Sequence, residues 1–467
     1  MNETEITLYI SEDGDDSNEG TNEKPLWSVA AALDRIRGKL YGAAYLIITG
    51  SVTEVAARNA MIDITGGDLP VIYLQGGGSE NPGTLDAQGL DKRVIYIADG
   101  NKVYLGKNIV IRGGVTQDSG GAGITVDRGT LIMRGAEISD NDAGFGMGGG
   151  VYLSGESEFI MESGLIARNK TKMNGGGVFP DDGGKFTMLG GTISDNEAIV
   201  SGAGVFVGIG AQFVLRDGLI GDNIAGGEKL IRIGGVSIPY GKGGSVFVCS
   251  NAHFIMEDGK IEYNRAIAVE REDYAGSGGG VFVDAGGVFT FEKGLITKNG
   301  VMNWGGGVYS QGSFTCQSNA MITNNVARLG GGGVFVAGKE GVFIVKGGLL
   351  MKNYTAGMGG AVHVMEDGSF TMEGGLVVKN SAGKLGNAFA ISGLGTINGG
   401  AIVENFDALK DDNTKDSETG TSREAVPCII VIEDTGKLVI QKGEIDGKIL
   451  MKKADLLEDR REKEEAD

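Results

Sequence analysis

Proline, cysteine and histidine are scarce in this 467-residue chain, at 6, 3 and 2 residues. Cys249, Cys316 and Cys428 stand apart in strand-like runs, so no disulfide framework or metal-binding spacing can be assembled from them. They read as small buried apolar residues. The only histidines, His253 and His363, fall in different strand columns four turns apart, roughly 19 Å at the spacing of stacked strands. That separation excludes joint acid/base work. No run of about 18 apolar residues exists to cross a membrane as a helix. Met1 opens on Asn2-Glu3-Thr4-Glu5 without a basic, hydrophobic leader, which leaves a cytosolic protein or an export signal outside this sequence. Positive charge is short as well: the net charge of −19 disfavours nucleic acid and anionic membranes as partners.

Glycine, by contrast, supplies 85 residues without the strict triplet of collagen, and so marks frequent tight turns. Much of it recurs in a repeat of about 27 residues, the signature of a stacked coil rather than of separate domains. A Gly-rich tetrapeptide runs into a hydrophobic strand, and a Gly-x-Ile-x-x-Asn phrase closes on Asn at a nearly fixed interval. The interval is 18 residues from Val151 to Asn169, Val178 to Asn196, Val205 to Asn223, Val246 to Asn264, Val281 to Asn299 and Val362 to Asn380. It is 17 from Val308 to Asn325, 19 from Val334 to Asn353 and 16 from Phe389 to Asn405.

Three β phrases per unit with glycine corners predict an all-β fold, a right-handed single-stranded parallel β-helix in which each strand pairs with its counterpart one repeat on. A single domain over 1–467 is expected, with an N-terminal strand and capping helix in 1–40, irregular early turns in 41–140, regular turns in 141–450 and a charged tail in 451–467. Ser28 caps the helix, Val29 to Arg37, and Gly38 stops it. Lys448 takes the Asn position of a further turn, and the tail from Ala454 reads as a frayed helix or a linker. The period of two places Phe159, Phe186, Phe213, Phe254, Phe289, Phe314, Phe343 and Phe370 in an inward column. The asparagines from Asn141 to Asn405 read as a stacked amide ladder, with Asn chosen for its tolerance of left-handed turns. Asn169 and Asn353 lie in glycosylation sequons that a ladder makes inaccessible.

The same alternation turns Tyr152, Phe179, Phe206, Phe247, Phe282, Tyr309, Phe335 and His363 outward, as a stripe roughly 34 Å long. Two roles fit it: a surface for pyranose faces or a partner, or rings that stabilise one another across strands under a covering loop. The interval from each Asn to the next first-strand Val, 9 or 10 in most turns, is 23 from Asn223 to Val246 and 17 from Asn264 to Val281, so two insertions emerge at one corner on consecutive turns. They carry Glu228, Lys229, Arg232, Tyr240, Lys242, Glu270, Arg271, Glu272, Asp273 and Tyr274. The candidate ligand-binding set is therefore Tyr152, Phe179, Phe206, Phe247, Phe282, Tyr309, Phe335, Tyr240 and Tyr274. Phe247→Ala is accordingly expected to cost much less than Phe254→Ala.

Catalytic chemistry is thinly represented. Asp181-Asp182 follows the first strand of a repeat and could serve as a carboxylate pair, or be a polar turn. Asp13, Asp15, Asp16, Asn18 and Glu19 form an oxygen-rich loop without EF-hand spacing, open to calcium or to a solvated turn. The Gly-rich runs lack the Lys-Ser/Thr and following helix of a phosphate loop. No catalytic residue, metal or cofactor is assigned.

The opening ITLYISEDGDDSNEGTNEKPLWSVAAALDRI (6–36) and GTLDAQGLDKRVIYI (83–97) resemble the entry segment of pectin-lyase-like parallel β-helix proteins. The repeats are similar to the GGA-(Ile/Leu/Val) and Phe-x-x-Asn motifs of chlamydial polymorphic outer-membrane proteins, with Ile or Leu replacing Phe, as in Ile166-Ala167-Arg168-Asn169. Resemblance to polygalacturonases would imply Asn-Thr-Asp, Asp-Asp, Gly-His-Gly and Arg-Ile-Lys motifs; of that set this chain has Asp-Asp pairs alone. The resemblance implies the fold; the stripe and adjacent inserts add the expectation of an exported bacterial surface protein for binding or adhesion to glycan or another surface component. The alternatives are a polysaccharide lyase or hydrolase with an acidic site near the inserts, or a structural protein associating through the stripe or coil ends.

Overall fold

The computed structural model describes residues 4–80, 82–227, 232–233, 236–237, 241–268, 275–405, 428–453 and 456–461. The chain divides into two compact units, Met1–Ala225 with Asn251–Phe254, and Gly226–Ser250 with Ile255–Asp467. In both, strands one repeat apart pair in parallel. Phe159 faces Phe186 and Ile166 faces Ile193 in the N-terminal unit, while Phe314 faces Phe343 and Ile322 faces Leu350 in the C-terminal unit. Each is a parallel β-helix. The Phe and Ile phrases lie in one sheet, in several turns as a single bent strand such as Glu158–Ala167 or Val288–Thr297. The Val-led phrases form a second sheet. A two-residue strand after each Asn, such as Lys170–Thr171 or Val326–Ala327, builds a third.

The inward Phe column forms as expected. Centroids are 4.8–4.9 Å apart from Phe159 through Phe186 and Phe213 to Phe254, and 4.6–5.5 Å from Phe289 through Phe314 and Phe343 to Phe370. These separations follow from the strand spacing, which brings like rings into offset contact on successive turns. The asparagines stack beside them. Asn169 donates to Asn196 Oδ1 from both its backbone N and its Nδ2 at 3.0 Å, and Asn325 does the same to Asn353 at 3.1 and 3.0 Å. Each Nδ2 also reaches a backbone carbonyl, as Asn196 does Ile166 O at 3.0 Å. Buried amides are thus satisfied along the column. The left-handed turn, however, falls on the preceding residue: Asp140, Arg168, Asp195, Asp222, Tyr263, Lys298, Asn324, Lys352, Lys379 and Glu404 all have φ between 50° and 59°. Asn is required for its amide, not for its backbone conformation.

At the N-terminus α1 (Val29–Ile36) buries Val29, Ala32, Leu33 and Ile36, with Ser28 Oγ accepting from Ala31 N at 3.1 Å. A second helix, α2 (Glu54–Arg58), brings Glu54 against the start of α1. Glu54 Oε2 accepts from Ala30 N at 3.4 Å, whereas Oε1 is buried with no hydrogen-bond partner among the described residues. Burial pushes its carboxyl up to about 7, offset in part by the N–H groups of Ala30 and Val29 and by Arg58. The acidic loop before α1 is occupied by its own backbone. Asp15 Oδ1 accepts from Ser17 N; Asp16 takes the N–H groups of Trp27 and Ser28, the Ser28 hydroxyl and Arg58. Among the described residues no group of three or more His, Cys, Asp or Glu is placed to hold a metal. At the other end, Lys448 opens a strand, Lys448–Met451, beside Cys428–Ile432. The tail read as a frayed helix or linker instead lays Leu457–Asp459 in parallel against Leu438–Ile440; 454–455 and 462–467 lie outside the described residues.

The outward stripe is present but it is not a surface. Phe179, Phe206, Phe247, Phe282, Tyr309, Phe335 and His363 are between 0 and 8% exposed, and Tyr152 alone is half-buried. The Gly-rich segment leading into each Val strand folds back across that strand's outer face. A Cβ on Gly175 would lie 2.7 Å from Phe179 Cβ, and one on Gly331 2.8 Å from Phe335 Cβ; both glycines have positive φ, 71° and 61°. The first glycine is therefore required by its positive φ and by contact with the ring-bearing residue, while the next two, as Gly176 and Gly177, meet Ala203 O and Gly204 O of the neighbouring turn at 2.6 Å for an added Cβ. These segments also stack on one another, through bridges Asn174 to Ser201 in the N-terminal unit and Trp304 to Gly330 to Met358 in the C-terminal one. The expected outward stripe therefore points away from the core without reaching solvent, its Tyr309 and His363 included. His363 is enclosed with neither ring nitrogen hydrogen-bonded, edge-on to Phe335, and burial pushes it down to about 4.

Candidate functional site

Gly120 and Gly148 still approach the early ring column, at 2.7 Å from Tyr152 Cγ and 3.0 Å from its Cβ for an added Cβ, yet Tyr152 and Tyr96 stay half-buried, and there the N-terminal unit carries an open corner. The chain leaves Ile124–Asp127 through Arg128 and Gly129 into Thr130–Ser139, and one turn later leaves Val151–Ser154 through Gly155 and Glu156 into Glu158–Ala167. Left-handed φ at Arg128 (52°), Glu156 (57°) and Asp182 (47°) makes each turn tight. Between the turns lies a cleft of about 480 Å³, lined by Gly100, Arg128, Gly129, Thr130, Gly155, Glu156, Glu158 and Lys185. Strand register sets Lys102, Thr130, Glu158 and Lys185 side by side along it.

Tyrosines flank the corner on both sides. On the Val-strand side Tyr96 donates its hydroxyl to Asp127 Oδ2 at 3.1 Å, and Tyr152 donates to Asp181 Oδ2 at 3.3 Å. Arg128 also reaches Asp127 Oδ2, at 3.3 Å. Burial, then the charges of Asp181, Asp182 and Asp127, push the Tyr152 phenol up to about 12, so it remains a donor. The Tyr96 phenol is raised likewise, by burial first and then by Asp127. On the other side Tyr45, Tyr73 and Tyr104 stack with centroids 4.7 and 4.5 Å apart and planes within 16°. Arg134 stands 4.6 Å over Tyr104 and holds Glu162 through two bonds of 2.9 Å. The rings cover one another's faces, so the stack offers edges and a row of hydroxyls.

Of the expected ligand-binding residues, the structure brings only Tyr152 to this corner. Phe179, Phe206, Phe247, Phe282, Tyr309 and Phe335 lie under the glycine seal, and Tyr240 and Tyr274 fall outside the described residues. So do Glu228, Lys229, Glu270, Arg271, Glu272 and Asp273; Lys242 turns onto the buried Phe282 ring, 5.3 Å from its centroid. Asp181 and Asp182 join the corner, the former as the Tyr152 acceptor and the latter in the turn. Tyr45, Tyr73, Tyr96 and Tyr104 went unselected, although the signal was there. Each is the central residue of an apolar triplet, Ala-Tyr-Leu, Ile-Tyr-Leu, Ile-Tyr-Ile or Val-Tyr-Leu, and the period of two already pointed it outward.

No protein-family model matches this chain, and neither a curated protein nor a solved structure matches it. Among the described residues no helix is long and apolar enough to cross a membrane.

Proposed function

We propose that this chain is a glycan-binding β-helix of the pectin-lyase-like kind, acting at a bacterial cell surface, and that it binds along the open corner of its N-terminal unit. The observation that carries the reading is the pairing of two half-buried phenols with carboxylates, Tyr96 with Asp127 and Tyr152 with Asp181, beside a polar cleft. Sugar recognition calls for apolar ring edges next to fixed hydrogen-bonding groups, and concave polar sites with aromatic walls supply both. Tyr96 and Tyr152 sit two turns apart in register, about 9.6 Å at the strand spacing, so an extended oligomer can span both.

A glycan panel probed with the full chain tests this. Retention on at least one oligosaccharide, reduced tenfold or more by Tyr152→Ala with the far-UV spectrum unchanged, is expected. Equal retention by wild type and variant would remove the corner from consideration. Chain shortening of a retained oligosaccharide by the wild type would move the assignment to a lyase or hydrolase.

A further inference from the structure

Resting on the corner as the glycan site, we infer that it selects oligosaccharides bearing free amino groups over neutral N-acylated ones and over uronates. The reason lies in which atoms remain unclaimed. Asp127 and Asp181 each use Oδ2 for a tyrosine hydroxyl, and among the described residues Oδ1 of each has no hydrogen-bond partner. Both phenol hydrogens are already donated, so each phenol oxygen is left to act as an acceptor. The Glu156, Glu158 and Asp182 carboxylates take part in no hydrogen bond or ion pair among the described residues. Five carboxylates therefore stand at the corner against four cations, Arg93, Lys102, Arg128 and Lys185; Arg128 is engaged by Asp127, Lys102 lies over the Tyr104 ring, and Arg93 lies over the Tyr96 ring and donates to Thr125 Oγ1.

Such a rim is rich in acceptors, and three of its four cationic donors are already engaged. A uronate brings further carboxylates, and like charge at short range is repelled. An N-acylated sugar brings one N–H per residue. A protonated amino sugar brings three N–H donors and a positive charge, matching both the unclaimed oxygens and the local charge. The tyrosine edges then distinguish a sugar from a flexible cation, because they contact the ring.

Calorimetric titration of the full chain with four hexamers decides the matter: fully deacetylated glucosamine, N-acetylglucosamine, galacturonate and lysine. The glucosamine hexamer is expected to bind at least tenfold more tightly than the other three, with affinity falling as salt is raised. Asp182→Asn and Glu156→Gln, both at exposed turn positions, should each narrow the gap between glucosamine and N-acetylglucosamine by severalfold without shifting the melting temperature. Equal or tighter binding of N-acetylglucosamine or galacturonate overturns the inference and leaves the glycan site standing. Equal binding of the lysine hexamer overturns it by showing charge without sugar recognition. A gap unchanged in both variants overturns it too. If none of the four hexamers binds, the inference fails; if the glycan panel also retains nothing, the reading of the corner as a glycan site fails with it.

Discussion

The two units run one repeat through the same columns and finish them differently. In the C-terminal unit the outward rings Phe247, Phe282, Tyr309 and Phe335 lie nearly parallel, successive planes within 17°, sealed beneath glycine segments. In the N-terminal unit Tyr152, Phe179 and Phe206 tilt by 51° and 83°, and the column opens towards Tyr152 and Tyr96 with their carboxylates. A strict repeat closes its own outer face, because every turn supplies the segment that covers the next strand. Chemistry is left exposed where the repeat is imperfect. The same contrast appears in the buried ionisable groups: a carboxyl, Glu54, at the N-terminal cap and an imidazole, His363, in the C-terminal stack.

What the units share should break hardest. Asn325→Leu removes the acceptor of both Asn299 N and Asn299 Nδ2, and the donor to Ile296 O and Asn353 Oδ1. Several buried polar groups are stranded at once, so a loss of about 4–6 kcal/mol is expected in urea denaturation. Asn196→Leu, at the matching place in the N-terminal unit, should lose as much. A loss under about 2 kcal/mol in either would mean that unit does not depend on its ladder.

Ring truncation follows. Phe254→Ala, in the inward column, should cost about 3–5 kcal/mol. Phe247 is 6% exposed and stacked on Phe282 at 5.1 Å, so Phe247→Ala should cost a similar amount, against the sequence expectation of a minor effect. Equal denaturation midpoints for wild type and Phe247→Ala would restore the exposed stripe.

Acid should move the two units in opposite directions. His363 is held below its unfolded value of 6.5, so its contribution is present above that pH and lost as pH falls towards about 4, in total about 3 kcal/mol. Glu54 is held above its unfolded value of 4.5; its contribution is present below that pH and lost as pH rises through about 7, again about 3 kcal/mol. Denaturation between pH 4 and 7.5 checks this: His363→Phe should abolish the acid-side loss, and Glu54→Gln the loss towards neutral pH. Smallest of all, Arg134→Ala removes an exposed ion pair and a cation–π contact and should change stability by about 1 kcal/mol or less, read from the same melts.

The fold was legible because its determinants are periodic. The Asn interval, the Phe column and the Ser28 cap each follow from local spacing, and each sits where spacing put it. The site was not, because periodicity tells which way Phe282 points and nothing about what lies over it; the covering segment belongs to the loop before its strand. The glycines carried part of that information, since Gly175 and Gly331 combine a positive φ with close approach to the ring column. The tyrosine stack escaped for the opposite reason, as Tyr45, Tyr73 and Tyr104 recur at 28 and 31 residues, outside the regular period.

The central claim, that sealed columns carry stability and the open corner carries recognition, is tested most directly by measuring two quantities on two variants. For Tyr152→Phe and Phe282→Leu, the urea midpoint and the affinity for whichever oligosaccharide the glycan panel retains are determined side by side. The account predicts a crossing: Tyr152→Phe, which deletes the hydroxyl bonded to Asp181, weakens binding tenfold or more at an unchanged midpoint, and Phe282→Leu lowers the midpoint at unchanged affinity. Weakened binding in Phe282→Leu alone, with Tyr152→Phe indistinguishable from wild type, would contradict it.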